Sequence, residues 1–413
     1  MPSLLRAAGD LRHLTLALSE RQVIRRAAMV TSVYLVAAAA VLLAVVFARH
    51  GLRPEPLRIL LSYLVIATVA AGLEPGTSKA AALTKGAGMM PPVTSIVIIS
   101  TLKGFTAAGV LAGIWKLSDP SVPLQVLLLT PLITITGFCT TDMRVVLDLE
   151  DKHIGAITLK QGSSCIAVVV AVVLMLAGLS AFMAILIANC VRIVVLIPSL
   201  RHDLPARAIL RGAQDLVKDT RWLEFAGASA LSAASGSVDR LLAVRDLSAA
   251  TLGSYYVSFE ILSRFWLLPF LIVPILFARR VKGETSGRFL RVAWFVTAVS
   301  GLLFLLILGA IDMVRPQLVL AVTGRRIDSA TFALAAAMVI SSLSQLRAAE
   351  VQASGHGRQL MYFLAFGVVS SGLIFWFAAG HYGTPGLMWG WLLKTMIEFA
   401  GTQFISTRYR SPS

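Results

Sequence analysis

The sequence predicts an all-α polytopic membrane protein of about twelve transmembrane helices, arranged as two six-helix lobes in a parallel repeat around a central cavity. Three observations predict it. The 413 residues are 57% hydrophobic and 14% charged, with a mean hydropathy of +0.80, which is too apolar for a soluble globular chain. Apolar runs near the ~20 residues that a helix needs to cross a bilayer recur along the whole length, and no polar stretch of domain size interrupts them. Basic residues fall mostly between the runs, so the formal net charge of +16 reads as a positive-inside orientation signal and does not point to nucleic acid.

A basic tail over residues 1–26 opens the chain; with no small-residue cleavage site after an early apolar core, it reads as cytoplasmic. Apolar spans follow at about 27–48, 57–83, 94–115, 122–143, 157–178 and 180–200, then at about 222–244, 253–279, 290–311, 328–347, 360–380 and 384–407. The longest polar connection, 201–221, divides six from six. It makes 27–200 the N-lobe and 222–407 the C-lobe, with 408–413 as a short cytoplasmic tail. Span starts in the second half trail those of the first by about 195 residues early and about 203 later, the signature of a parallel repeat. Short echoes agree: GLRPEPL at 51–57 lies against DLSAATL at 246–252, and Arg144 and His153 lie against Arg347 and His356.

Basic clusters at Arg21, Arg25 and Arg26, from Arg201 to Arg221, from Arg279 to Arg291, and at Arg408 and Arg410 all fall on one side if the N-terminus is cytoplasmic. Both termini then face the cytoplasm. The stretch from Pro316 to Asp328 is too short to span and reads as a re-entrant or surface segment.

Chemistry is limited by what the spans contain. All six histidines sit in tails, loops or helix ends, so a histidine proton relay has no support. There is no GxxxxGK[ST], no HExxH and no Cys/His metal spacing. Cys139, Cys165 and Cys190 read as small core residues, and no metal or cofactor is expected.

Charges within the spans carry the functional signal, because lipid cannot solvate them and they turn toward a bundle interior. They are Glu74 and Lys79 in the second span, Lys103 in the third, Asp239 and Arg240 in the seventh, Glu260 and Arg264 in the eighth, and Lys394 and Glu398 in the twelfth. Glu260 and Arg264 share a helix face one turn apart. They are either a neutralised pair that makes insertion tolerable, or an arginine fork that binds an anionic head group while Glu260 competes for it. Lys394 and Glu398 have the same spacing in reverse order and read as a structural pair. Lys103 reads as a cavity cation; Lys79, near the cytoplasmic end, either snorkels or joins it. Asp239 is either a helix-end acid or a titratable site coupled to an ion gradient. The small-residue run before it, AGASALSAASGS, reads as a close-packing surface. Pro269 and Pro274 in the eighth span and Pro131 in the fourth should break helix hydrogen bonds.

The run SVDRLLAVRDLSAATLGSYYVSFEILSRFWLLPFLIVPIL resembles the helix 7 to helix 8 unit of polysaccharide flippases of the Wzx/PST and MurJ kind, within the multidrug/oligosaccharidyl-lipid/polysaccharide exporter superfamily. The matching positions are Asp239, the run Leu252-Gly253-Ser254-Tyr255, Arg264 and Leu268-Pro269. FARHGLRPEPLRILLSYLVIATVAAGLEPGTSKAAA is similar to that family's helix 1 to 2 unit, and HYGTPGLMWGWLLKTMIEF to the start of its last helix. The chain departs from the pattern where its first span lacks inward basic residues and where GLEPGTSK carries Glu74 and Lys79.

The resemblance implies a transporter, not an enzyme, in the bacterial cytoplasmic (inner) membrane. By alternating access it would flip an undecaprenyl-diphosphate-linked oligosaccharide to the outer leaflet for polysaccharide (O-antigen, capsule or exopolysaccharide) biosynthesis. Arg264, Lys103 and Lys79 would be the cavity cations for that lipid-linked oligosaccharide. Asp239, Glu260, Glu398 and Glu74 would serve ion coupling or gating, with a proton or sodium ion as coupling partner. Surrounding lipids, a polysaccharide polymerase and glycosyltransferases complete the expected partners; nucleic acid is not among them. Two alternatives stay open. A drug or cation antiporter of the same superfamily would favour acids in the cavity. A membrane-embedded glycosyltransferase or polymerase would need a large outer loop, and every outer loop here is short.

Overall fold

The computed structural model describes residues 32–408 except for short stretches, chiefly 86–90, 197–205 and 277–286. The tail over 1–26, Glu74, Pro274 and the basic residues from Arg279 to Lys282 thus lie outside the described residues.

Each predicted span coincides with a helix or with two helices in line, the eighth over its first half. The first half of the chain forms α1 (Ser32–Gly51), α2 (Pro54–Gly72), α3 (Thr77–Lys85), α4 (Val93–Ser118), α5 (Leu124–Leu127), α6 (Thr130–Leu149), α7 (Ser163–Leu176) and α8 (Ala181–Leu196). A connecting helix α9 (Ala206–Lys218) leads to α10 (Trp222–Ser235), α11 (Val238–Asp246), α12 (Ala249–Ser263), α13 (Gly287–Val314), α14 (Pro316–Thr323), α15 (Ser329–Ala353) and α16 (Gly357–Arg408). Among the described residues, eight helical runs are long and apolar enough to cross a membrane. One of them is α16, which holds the last two spans and reverses at Gly383 (φ 58), just before Pro385.

Local signals set the ends. Pro54 opens α2 from the first helical turn, where a missing N–H costs nothing, and Ser248 caps α12 by accepting from the Thr251 N–H at 3.3 Å. These two tight turns are the GLRPEPL and DLSAATL echoes. Pro131 does not break its helix as expected: it lies in the first turn of α6, just after the short α5, where no intrahelical bond is lost. In the eighth span the helix tightens to a 3₁₀ turn over Arg264–Trp266, because the Pro269 ring displaces the Phe265 carbonyl one turn earlier.

The second span departs from a continuous helix. It breaks between Gly72 and Thr77 around Gly76, whose φ of 71 favours glycine and whose Cβ, if it had one, would lie 2.6 Å from the Trp222 carbonyl oxygen. Residues 316–323 form α14, a single short helix packed on α12 and α13, consistent with a segment too short to span.

Packing falls mostly within each half: α4 on α6 and α7 on α8 in the first, α10, α11 and α15 on α16 and α13 on α15 in the second. Helices in lipid gain little from the hydrophobic effect on each other and associate through close contact and hydrogen bonds. Gly137 shows this on α6, since a Cβ there would meet the Ala70 carbonyl oxygen of α2 at 2.9 Å. By contrast α13 presents Leu302, Leu303 and Leu306 outward, as a lipid-facing helix does. The halves meet through α2, which contacts α10, α11 and α12. Arg144 and Arg347, set in register by the sequence, each pair with a carboxylate on their own helix, Asp148 and Glu350.

Candidate functional site

A cavity of about 560 Å³ lies between the two halves. Its lining comes from the parts of α1, α2, α3, α6, α7, α8, α10, α11, α12, α15 and α16 nearest the bundle end marked by Leu149, Thr158 and Ala353. Toward the other end, marked by Gly51, Asp119 and Leu247, the helices close into an apolar core that includes Leu57, Leu60, Val126, Val244 and Tyr255. Arg58 ties that end together. Its Nε lies 3.2 Å from Asp119 Oδ1, and its Nη2 donates to the Val244 carbonyl at 2.7 Å, joining α2 to α11 across the halves. Arg49 adds a longer bond of 3.4 Å from Nη1 to the Val322 carbonyl of α14. The cavity is therefore one-sided.

The C-half wall carries three cations, each with a partner nearby in the chain. Arg264 pairs with Glu260 one turn earlier, and the Tyr34 hydroxyl of α1 bonds to the same guanidinium. Lys394 lies 3.1 Å from Glu398 Oε2 and 4.3 Å over the Trp391 ring. Glu398 Oε1 accepts from Ser235 Oγ at 2.7 Å, which ties α16 to α10. Arg240 donates through Nη2 to the Gly236 carbonyl at 2.6 Å and lies 4.6 Å over Phe259. Its stable placement follows from the break between α10 and α11, which frees that carbonyl for it.

The N-half wall is built differently. Arg144 Nε is 3.4 Å from Asp148 Oδ2, with both side chains nearly buried. Arg192 of α8 is 3% exposed and donates through Nη2 to Thr140 Oγ1 at 3.2 Å. Lys160 lines the cavity from a π turn, Thr158–Gly162, that leads into α7, and Lys79 lines it from α3. In all, basic side chains outnumber acidic ones around the cavity, Asp148, Glu260 and Glu398 being the acids.

Of the residues singled out in the sequence, Arg264, Glu260, Lys79, Lys394, Glu398 and Arg240 come together here. Lys103 does not. Its Nζ lies 3.7 Å over the Trp222 ring and donates to Thr77 Oγ1 at 2.8 Å, so the side chain is satisfied outside the cavity. Asp239 also stands behind the wall: wholly buried at the start of α11, it accepts from the Tyr255 hydroxyl and lies 3.9 Å from Arg240 Nε. Glu74 lies outside the described residues. The small-residue run serves two purposes. Gly227 allows close packing, since a Cβ there would press on Met361 Sδ at 2.7 Å, while Ser229, Ser232 and Gly236 line the cavity.

The spans' charges named above omit Arg144, Asp148, Lys160 and Arg192. Arg192 had a clear signal, an arginine inside the apolar run AILIANCVRIVVL. Arg144, Asp148 and Lys160 sit at span edges, where charge is ordinary and only the fold shows which way they face.

No protein-family model matches the chain, and no curated protein matches it significantly. Solved structures do match over nearly the whole length. A multidrug resistance MATE family transporter of the MOP superfamily, in an outward-facing conformation, is 18% identical over 92% of this chain and 93% of its own, with a TM-score of 0.60. A eukaryotic MATE transporter is 13% identical over 93% of this chain and 94% of its own, with a TM-score of 0.61. The chain has the MATE transporter fold. An inward-facing MATE transporter of the MOP superfamily also matches, at 15% identity and a TM-score of 0.54 over 91% of this chain and 96% of its own. The MATE fold accounts for the two six-helix lobes.

Proposed function

We propose that the protein is an alternating-access exporter of an anionic amphiphile, an undecaprenyl-diphosphate-linked oligosaccharide carried from the cytoplasmic to the outer leaflet for polysaccharide biosynthesis. The excess of basic over acidic side chains around a large one-sided cavity supports this reading. A guanidinium fork fits phosphate oxygens, and in a water-poor cavity its attraction is stronger than in bulk water. Arg264 is the central contact on the C-lobe, released from Glu260 when substrate enters. On this reading the cavity faces the cytoplasm, with both termini on that side and the Arg58 seal on the outer side. A polymerase and glycosyltransferases act before and after it.

Arg264→Ala, at normal membrane abundance, should abolish surface polysaccharide and build up lipid-linked precursor inside the cell. Unchanged polymer export would sink the proposal.

A second reading is antiport of drugs or cations, and the likeness to a multidrug resistance MATE family transporter supports it more directly than it supports flipping. Here the buried Asp239 and the part-buried Glu398 serve proton or sodium coupling, and Arg264 belongs to a structural ion pair. It predicts that expression raises resistance to cationic drugs, that Arg264→Ala retains that resistance, and that Asp239→Asn loses the dependence of efflux on an ion gradient in vesicles. Retained dependence in Asp239→Asn would remove Asp239 from the coupling path.

A further inference from the structure

The connection between the two halves carries a helix that contributes nothing to the cavity lining. It is α9, whose 13 residues, Ala206–Lys218, extend about 20 Å and are too few to cross a bilayer. One of its faces is seated on the N-lobe. Ser95 Oγ of α4 donates to the Ile209 carbonyl at 2.8 Å, and a Cβ at Gly212 would lie 2.7 Å from the same oxygen. Leu216 is 3% exposed and packs with Ala81, Ile96, Ile99 and Val146.

This seat fixes the depth of α9. The 26 residues of α4 extend about 39 Å, more than the ~30 Å of a bilayer's hydrocarbon core. Ser95, Ile96 and Ile99 all fall in the first two turns of α4, so α9 lies where hydrocarbon gives way to headgroups.

The opposite face of α9 is open. Arg211, Gln214, Asp215 and Lys218 are exposed and follow one another at one- to four-residue steps along one side of the helix, and Arg221 is exposed just beyond its end. Three cations thus stand against one acid. Beside them Val217 is 61% exposed, and Leu223, at the start of α10, is 54% exposed. Cations next to bare aliphatic side chains on a short helix at this depth are the make-up of a helix that lies in the membrane interface, with its charges among the headgroups.

We propose that the open face of α9 binds the headgroups of anionic phospholipids, with Arg211, Lys218 and Arg221 on the phosphates and Val217 at the acyl-chain boundary. A soluble partner of the same charge would not account for Val217 and Leu223 lying bare at membrane depth. Because α9 is seated on the N-lobe and leads directly into α10, lipids bound here hold the connection between the lobes to the membrane surface. The site is separate from the cavity and does not depend on what the cavity carries.

The test uses the full chain, purified in detergent and stripped of lipid. It is titrated with phosphatidylglycerol and, separately, with phosphatidylcholine of the same acyl chains, and read by native mass spectrometry and thermal shift. Phosphatidylglycerol should bind the more tightly, raise the melting temperature and lose much of this advantage at high salt. Arg211→Gln and Lys218→Gln should each weaken phosphatidylglycerol binding about fivefold and leave phosphatidylcholine binding unchanged. Both side chains are exposed, so without lipid both variants should melt with the wild type. Arg326→Gln, at an exposed arginine of the opposite end, should bind phosphatidylglycerol normally. Equal binding of the two lipids overturns the proposal, as does phosphatidylglycerol binding that both α9 variants retain. An equal loss in Arg326→Gln overturns it too, since net charge and not this face then draws the lipid. A soluble protein that co-purifies with the wild type and is lost in Arg211→Gln, with lipid binding unchanged, makes the face a protein-docking surface instead.

Discussion

The two walls of the cavity hold their cations in different ways. On the C-lobe, Arg264 and Lys394 each have a carboxylate one turn away on the same helix, and Arg240 uses a carbonyl freed by a helix break next to it. On the N-lobe, Arg192 depends on a hydroxyl from another helix, and Arg144 has a long contact with Asp148. Local pairs hold their geometry whatever the neighbouring helices do, so the charge balance of the C-lobe wall is set within single helices. The N-lobe wall holds Arg192 without a carboxylate partner among the described residues.

The loops that close the opposite end repeat the contrast in reverse. Asp119, between α4 and α5, is wholly buried and tied to Arg58, which in turn binds Val244 of the C-lobe. Asp328, in the equivalent connection of the second half, stays within that half, accepting from the Thr331 N–H and hydroxyl at 2.8 Å and pairing with Arg325 of the same connection. One acid seals the two lobes; the other caps a helix.

The largest effect should come from that seal. Arg58→Ala leaves the Asp119 carboxylate buried without its cation, at a cost of about 3 kcal/mol in thermal or chemical denaturation in detergent. It should also favour opening at that end. Cys165 lines the cavity and is half-buried, so with Cys190→Ser in the background its labelling by an impermeant maleimide from the cavity side should fall. Equal stability and equal labelling would show that Arg58 is no seal.

Next in size is Glu260→Gln, which strips Arg264 of its partner. The pair is partly open to the cavity, with side chains 12% and 25% exposed, so the loss should be about 2 kcal/mol, less than for a wholly buried pair. The double variant Glu260→Gln with Arg264→Met should recover most of it. The contrast with Arg192→Met, expected to cost nothing because that buried charge has no carboxylate partner among the described residues, is the sharpest check on the difference between the walls; a similar loss in both would erase it.

This difference also explains what could be read from the sequence. Twelve spans, the six-plus-six repeat and the Glu260/Arg264 and Lys394/Glu398 pairs follow from hydropathy and from spacing along one helix, which are local properties. The placement of Lys103 against Trp222, of Asp239 behind the wall and of Arg144 in front of it depends on helix rotation, and apolar helices with little amphipathic bias do not declare their inner face. The break at Gly76 was written as Glu-Pro-Gly within an otherwise apolar run, and the surrounding hydropathy masked it. Gly76→Ala should cost about 2 kcal/mol in the same denaturation measurement, since alanine meets both the positive φ and the Trp222 carbonyl.

The smallest effect belongs to Asp328, and its pH dependence separates it from Asp119. Asp328 precedes the span Ser329–Gln352. Partial burial raises its pKa, but the hydrogen bonds from Thr331 and the charge of Arg325 outweigh this and hold the carboxyl below its ordinary value of 3.8. A carboxyl with a depressed folded-state pKa contributes stability that is fully present above its unfolded value and is lost as pH falls through the folded one. Asp328→Ala should therefore cost about 1 kcal/mol at neutral pH, the usual worth of a helix cap, and the gap to the wild type should close below about pH 4. The Thr331 hydroxyl cannot replace the lost cap, because it lies within the helix that needs one. A penalty as large as that of Arg58→Ala would mean that Asp328 also joins the lobes, and the two halves would then close the end opposite the cavity alike.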